Sequence, residues 1–229
     1  MSHEPVRKRP RLSPIVLLGM VATAVGLLLL MMLYVLSKRM NAPPPPAPQA
    51  APQAAFAPPL PALGTVPPFS LTAQDGSTVT NETLAGKVWI ANFFFTECAG
   101  ICPAMTGRMR GLTEKLAGEK GVAFVSFDVD PDRDTVEDLA AYAVKHDADT
   151  SRWRFLRGEK AVVRELVTKG FKLGLEDQPG EKEPILHSSR LVLVDQKGGI
   201  RGTYESEDEA ALAKLEADAR ALTSPASAP

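Results

Sequence analysis

The strongest constraint on the fold is a short apolar segment, residues 88–95, that leads directly into a pair of cysteines. The segment is rich in Val and Phe and short, which predicts a buried β-strand. Cys98 and Cys102 follow it, and Pro103 comes next, at a position typical of the first turn of a helix. The sequence therefore predicts a strand, a turn that carries two thiols, and then a helix.

Strands and helices alternate along the rest of this region. Apolar runs at residues 122–127 and 191–194 predict two further buried strands. Hairpins are predicted where Gly-containing turns separate short strand patterns, at residues 191–204 around Lys197-Gly198-Gly199 and at residues 69–80 around Asp75-Gly76. Helical patterns cover residues 103–116, 135–145, 159–169 and 206–222. This order predicts an α/β fold with a mixed central sheet and helices on both faces.

Two of the predicted helices begin with residues at capping-box spacing. Thr135 stands three positions before Asp138, and Ser206 stands three positions before Glu209. In a capping box, the side chain of the first residue accepts the backbone N–H of the second, and the side chain of the second accepts the backbone N–H of the first. Helix starts are therefore predicted at residues 135 and 206.

The N-terminal end contains an uncharged run of 22 residues, residues 15–36. About 20 apolar helical residues span a hydrocarbon core of roughly 30 Å, so this run predicts a single transmembrane helix. Four basic residues precede the run and two follow it, which favours a cytoplasmic N-terminal tail, residues 1–14. The folded domain is then expected on the periplasmic side of a bacterial-type inner membrane. A cleaved signal peptide is the alternative, although Lys38 and Arg39 stand where a small-residue cleavage site is expected.

Residues 37–67 predict an extended linker between this anchor and the domain. Eleven prolines lie between residues 41 and 68, mostly among Ala and Gln, and such a segment favours polyproline II over a packed core. The folded domain is predicted for residues 68–222, followed by a flexible tail at residues 223–229. Residues 1–40 carry six basic residues and one acid, whereas residues 41–229 carry twenty basic and twenty-six acidic residues. This balance excludes a uniformly basic nucleic-acid-binding protein.

The two cysteines are the main candidates for chemistry. Unpaired N–H groups at a helix N-terminus favour the thiolate of a nearby cysteine, and Gly100 permits a tight turn between the two thiols. Thiolates serve as nucleophiles in disulfide exchange and as soft metal ligands, but two thiolates rarely complete a metal site. Of the three histidines, His187 is the candidate third ligand because it precedes a predicted strand; His3 precedes the anchor and His146 ends a helix.

Two other patterns are given structural interpretations. Acids alternate at Asp128, Asp130, Asp132 and Asp134, but an EF-hand loop requires Gly and Glu at positions where this chain has Arg133 and Leu139. The loop is instead expected to cap the next helix, with Arg133 paired to nearby acids. Met105 and Met109 have helical spacing, which is typical of core packing.

Three blocks of sequence together resemble the Sco/SenC family. Residues 94–103 are similar to its aromatic-Thr-x-Cys-x-x-x-Cys-Pro signature, residues 126–135 to its Asp-Pro-x-Arg-Asp-Thr block, and residues 186–189 to the block that supplies a histidine. The blocks occur in the family's order. The resemblance implies a thioredoxin-like fold, copper, as Cu(I) or Cu(II), bound by Cys98, Cys102 and His187, and a role in building the dinuclear copper centre of cytochrome c oxidase.

The chain departs from the family pattern at two places, and two functions stay open. The family commonly has Pro-Asp where this chain has Ala99-Gly100, and often has Asp where this chain has Leu186. A metallochaperone would bind copper and deliver it to the copper-bearing oxidase subunit without turnover. A thiol-disulfide oxidoreductase would use Cys98 and Cys102 as a redox pair to reduce cysteines of an extracytoplasmic partner. Peroxide reduction has no motif in this chain.

Overall fold

The computed structural model describes residues 14–40, 60–178 and 185–224 of the chain. The chain divides into two compact units, Met1–Ala57 and Pro58–Pro229. The first contains helix α1, Pro14–Met40. No helix of the described residues is long and apolar enough to cross a membrane. The structure thus does not confirm the predicted anchor at residues 15–36, and most of the predicted N-terminal tail, linker and C-terminal tail lies outside the described residues.

The second unit carries ten strands and five helices among its described residues. The strands are β1 Gly64–Thr65, β2 Ser70–Ala73, β3 Thr78–Thr80, β4 Val88–Phe94, β5 Val122–Asp128, β6 Trp153–Arg157, β7 Leu175–Asp177, β8 Ile185–His187, β9 Arg190–Val194 and β10 Gly199–Glu205. The helices are α2 Asn81–Leu84, α3 Cys102–Lys115, α4 Val136–Lys145, α5 Lys160–Glu165, which a π-helical turn at Leu166–Gly170 continues, and α6 Glu209–Thr223.

Eight of these strands form one mixed sheet in the order β1-β10-β9-β4-β5-β6-β2-β3, and β7 pairs with β8 separately. The central strands β4, β5 and β6 are parallel, joined by α3 and α4, and β9 lies antiparallel to β4. The register between β4 and β5 ends with Phe94 beside Asp128. The loop that follows β4 and the loop that follows β5 therefore leave the sheet at the same edge.

Helical segments cover both faces of the sheet, as predicted. Successive side chains of a strand point to opposite faces, and β4 shows this at its end. Phe94 packs on Tyr142 of α4, with ring centroids 4.9 Å apart, whereas Phe93 packs on Phe171, just after the π-helical turn, at 5.2 Å. Seven consecutive residues of β4 are buried, so this strand forms the centre of the core.

Local capping decides where two of the helices begin. The predicted box at α4 is confirmed: the Thr135 side chain accepts the N–H of Asp138, and the Asp138 side chain accepts the N–H of Thr135. The predicted start of the last helix at Ser206 is wrong. Asp208 accepts the N–H groups of Ala210 and Ala211 instead, so α6 begins at Glu209. An aspartate two residues further on competes successfully for the cap.

The domain starts earlier in the chain than the sequence predicted. β1 lies within the predicted linker, where it pairs with β10 and adds a short edge strand to the sheet. Leu63 N–H donates to the carbonyl of Ile200, and Val66 N–H donates to the carbonyl of Gly198. Val66 is buried in the core. Because the preceding segment is rich in Pro, the sequence predicts a linker at these residues and not a strand.

Candidate metal centre

The two thiols lie where β4 passes into α3. Cys98 N–H donates to the carbonyl of Phe95 in a turn, and α3 begins at Cys102 with Pro103 in its first turn. The two cysteines are not joined by a disulfide bond. Cys102 is fully buried, whereas Cys98 retains 8% of its exposure. The predicted strand, thiol-bearing turn and helix are thus present, and Cys98 is the more accessible of the two sulfurs.

His187 closes the cluster from another part of the fold. The ligand atoms of Cys98, Cys102 and His187 all lie within 4.8 Å of one another. Nε2 of His187 is 3.0 Å from Sγ of Cys102, and Nδ1 is 3.1 Å from the carbonyl oxygen of Ser188. Because a carbonyl only accepts, the proton of a neutral ring belongs on Nδ1. This tautomer directs the lone pair of Nε2 toward the sulfurs.

The position of His187 is fixed by a hairpin and by an aromatic contact. His187 ends β8, where it pairs with Leu175 of β7. The ring of Phe95 meets the imidazole edge-to-face, with centroids 5.9 Å apart. Since Phe95 directly follows β4, the strand that leads to the cysteines also supports the histidine.

The environment of Cys98 favours its thiolate. A hydrogen bond from the Cys102 thiol makes the largest contribution to lowering the pKa of Cys98 to about 4. Burial acts in the opposite direction, whereas the neighbouring His187 ring and the backbone N–H groups of Cys102 and Gly100 lower the pKa further. The Cys102 N–H belongs to the first residue of α3, where helix N–H groups lack partners within the helix. Cys98 is therefore a thiolate at neutral pH, able to act as a metal ligand or as a nucleophile.

Residues of the β5–α4 loop form hydrogen bonds to the loop that carries Cys98. The carboxylate of Asp134 accepts the N–H of Thr96 at 2.7 Å and its hydroxyl at 2.6 Å. Arg133 pairs with Asp130, as predicted from the sequence, and its guanidinium lies 5.8 Å from the ring centroid of Phe95. Sequence reasoning missed the contact between Thr96 and Asp134. The clue available in the sequence was that Thr96 and Asp134 both belong to segments that resemble the family pattern, residues 94–103 and 126–135.

A cavity of about 450 Å³ adjoins the site on the side of His187. Its walls come from the segment that leads into β7 and from the chain between the end of β8 and the start of β9, including Lys172, Leu175, Ser188 and Arg190. His187 is itself a lining residue. The imidazole is thus reached from the surface through this cavity, which neither cysteine lines.

Comparison with known proteins agrees with this arrangement. The family model described as SCO1/SenC matches residues 59–221, which is most of the chain. The chain belongs to the SCO1/SenC family. Its mixed α/β architecture is the thioredoxin-like fold of that family. The SCO1 protein homolog of Bacillus subtilis (strain 168) is 37% identical over 141 residues, which cover 61% of this chain and 72% of the relative.

Two further proteins similar to this chain extend the comparison. A Stutzerimonas stutzeri protein whose name describes it as copper-binding is 31% identical over 149 residues, covering 62% of this chain and 70% of the relative. A solved structure of BsSco, described as a member of the Sco family of cytochrome c oxidase assembly proteins with a disulfide switch, is 32% identical with a TM-score of 0.64. It covers 71% of this chain and 95% of its own.

The remaining sequence candidates lie outside this cluster. His146 stacks against Tyr142 with ring centroids 4.3 Å apart, and His3 lies outside the described residues. Met105 and Met109 are fully buried in the core, as their helical spacing predicted. The structure therefore brings together the three residues that the SCO1/SenC resemblance implied.

Proposed function

We propose that this protein binds copper through Cys98, Cys102 and His187 and delivers it during assembly of cytochrome c oxidase, as a metallochaperone. The observation that carries the proposal is the convergence of two sulfurs and one imidazole nitrogen within 4.8 Å. Sulfur ligands suit Cu(I), and an added imidazole also suits Cu(II). The names of the relatives support the same cargo and the same assembly process.

The unequal exposure of the ligands suggests how copper passes to a recipient. Cys98 is already a thiolate and is the more accessible sulfur, whereas Cys102 is fully buried. A ligand from the copper-bearing oxidase subunit can therefore replace Cys98 first, while Cys102 and His187 still hold the ion. The Ser188 carbonyl keeps the proton on Nδ1 of His187 throughout, so Nε2 stays available as a ligand.

Copper transfer between purified proteins tests this proposal. The protein, reduced and loaded with one equivalent of Cu(I), is mixed with the metal-free copper-bearing oxidase subunit, and the copper content of each is measured after separation. After removal of unbound copper, we expect the wild type and His146→Ala to carry one equivalent and deliver it, whereas His187→Ala, which retains less copper, should deliver less. Transfer that is equally complete with His187→Ala would overturn the proposed ligand set.

Thiol-disulfide exchange is a second candidate, and the lowered pKa of Cys98 favours it. The Cys98 thiolate would attack a partner disulfide, release one partner thiolate and form a mixed disulfide. Cys102 would then lose its proton and attack the Cys98 sulfur, releasing the second partner thiolate and leaving a Cys98–Cys102 disulfide. The partner gains two electrons and this protein loses two. Exchange needs both cysteines but not a histidine ligand, so His187→Ala separates the two functions.

For location, we propose a single-pass inner-membrane protein with its domain in the periplasm. The uncharged run at residues 15–36 and the excess of basic residues before it support this orientation. Cell fractionation and protease treatment of spheroplasts test it. The domain should sediment with membranes and be digested from the periplasmic side, and a variant that lacks residues 1–40 should not. A domain that resists external protease in intact spheroplasts would contradict the orientation.

A further inference from the structure

The carboxyl group of Asp128, at the end of β5, has no role in the proposed ligand set. Its residue is fully buried. Oδ1 accepts the N–H of Asp130 at 2.9 Å, but no donor among the described residues reaches the buried Oδ2. An ionised carboxylate that is buried with one oxygen unsatisfied is costly, whereas a protonated one carries its own donor. The unsatisfied oxygen therefore indicates a neutral carboxyl that donates rather than accepts.

Asp134 is the acceptor that this donor can meet. Burial makes the largest contribution to raising the pKa of Asp128 to about 8. Asp134, within hydrogen-bonding reach, and Asp130 raise the pKa further, while the N–H of Asp130 lowers it. The Asp134 carboxylate already accepts two hydrogen bonds from Thr96, so its oxygens act as acceptors at this position. When two adjacent carboxyls have different environments, one is the protonated donor and the other the acceptor, and here the proton belongs to Asp128.

We propose that Asp128 is a positioning residue for the copper site: its neutral carboxyl donates a hydrogen bond to Asp134, which holds Thr96 and thereby fixes the loop that carries Cys98. Thr96 lies two residues before Cys98, and both its N–H and its hydroxyl donate to Asp134. Ionisation of Asp128 would place two carboxylates side by side in the core and loosen this connection. The effect on copper rests on the proposed function, but the contact between Asp128, Asp134 and Thr96 does not.

The other titratable groups at this corner of the sheet are paired, neutral or exposed to solvent, so none of them takes the place of the buried Asp128 carboxyl. Arg133 pairs with Asp130, and Arg157 of β6 donates to the carbonyl of Pro131. Tyr142 of α4 bonds to the Thr106 hydroxyl at 2.9 Å, and burial raises its pKa, so it stays neutral. Glu97 is exposed at the surface of the cysteine loop. Asp128 is therefore the group expected to titrate here near pH 8.

Carboxyl and amide NMR of the full-length reduced protein tests the contact without copper. Between pH 6 and 9.5 we expect the Asp128 carboxyl to titrate near pH 8 and the Thr96 amide shift to follow it. Asp128→Asn keeps a donor toward Asp134 but cannot ionise, so the Thr96 inflection should vanish while the low-pH shift remains. Asp132→Asn, an exposed acid of the same loop that pairs with Lys160, should keep the inflection.

Copper affinity then tests the consequence for the site. Asp128→Ala removes the donor, so Thr96 amide exchange should accelerate and Cu(I) affinity should fall by about 10-fold or more, as for lost outer-sphere support. Asp128→Asn should bind Cu(I) as the wild type does at pH 7. If Asp128→Ala does not fold, the pH dependence of the Thr96 amide in Asp128→Asn tests the proposal instead. Titration of Asp128 near pH 4, or a Thr96 inflection that persists in Asp128→Asn, would overturn the proposal.

The two readouts separate this inference from the proposed function. If the wild type fails to bind Cu(I) while the Thr96 inflection depends on Asp128, the copper function fails and the positioning role remains. If the wild type binds Cu(I) through His187 while the Thr96 signal of Asp128→Asn matches that of the wild type at every pH, the positioning role alone is wrong.

Discussion

Nε2 of His187 lies 3.0 Å from Sγ of Cys102, although 85 positions separate the two residues in the sequence. Two independent elements meet here, the β4–α3 turn and the end of β8. The β4–α3 turn supplies two of the three candidate ligands and β8 supplies the third, so neither element forms the cluster alone. The geometry of the folded sheet, in which β4 also pairs with β9 just after His187, is what completes the site.

Removal of His187 should weaken copper binding without unfolding the protein. His187→Ala deletes one of three ligands, so Cu(I) affinity should fall by more than the roughly 100-fold upper range seen for lost outer-sphere partners. Competition against a chromophoric Cu(I) chelator measures the affinity, and the Cu(II) absorption spectrum should change as well. His146→Ala removes a histidine that stacks on Tyr142 away from the cluster and should leave affinity unchanged. Wild-type affinity and spectra in His187→Ala would exclude the histidine as a ligand.

The reactivity of Cys98 should be nearly independent of pH around neutrality. Its pKa of about 4 makes it a thiolate from pH 6 to 8, so iodoacetamide should alkylate Cys98 in the reduced protein at a constant rate over this range. Cys102→Ala removes the largest cause of the lowered pKa, and the alkylation rate should then rise with pH. Cys98→Ala is the matched control, which reports the buried Cys102 alone. A wild-type rate that increases tenfold per pH unit would show an ordinary thiol.

The same thiolate should make the stability of the reduced protein depend on pH. The folded pKa of Cys98, about 4, lies below its ordinary value of 9.0, so the unfolded chain binds the proton more tightly. This contribution to the free energy of unfolding is fully present above pH 9 and is lost as the pH falls toward 4. Denaturant unfolding under reducing conditions should therefore give a positive slope of stability against pH between these values.

Cys98→Ser isolates this contribution from those of other titrating groups. The difference in free energy of unfolding between wild type and Cys98→Ser should widen as pH rises from 4 to 9. A difference that stays constant across the range would show that Cys98 does not ionise differently in the folded state.

The sequence predicted the elements that local patterns determine and missed those that depend on partners. The apolar runs of β4, β5 and β9 identified the sheet centre, and Thr135 with Asp138 identified the start of α4. The short strands β1 and β7 have no local signature, because each exists only by pairing with β10 or β8. Likewise, the three candidate ligands were readable from motifs. The support of Thr96 by Asp134 was not, since it spans 38 positions between two loops.

The Thr96–Asp134 contact offers a test of how much this support contributes. Thr96→Val keeps the shape of the side chain and the backbone bond to Asp134 but removes the hydroxyl donor at 2.6 Å. Hydrogen bonds to charged groups contribute about 1.5–3 kcal/mol, so the free energy of unfolding should decrease by that amount. Thr78→Val, on the exposed edge strand β3, should change it by less than about 0.5 kcal/mol.

Copper binding decides whether the Thr96 hydroxyl serves the site as well as the fold. If Asp134 fixes the cysteine loop through Thr96, Thr96→Val should also lower Cu(I) affinity by about 10-fold, the lower range for a lost outer-sphere partner. The measurement is made at pH 7 and in dilute denaturant-free buffer, where both Thr96→Val and Thr78→Val are fully folded. Reduced stability with unchanged affinity would assign the contact to the fold alone. Reduced affinity in Thr96→Val, with wild-type affinity in Thr78→Val, would show that the position of Cys98 depends on a carboxylate that never touches the metal.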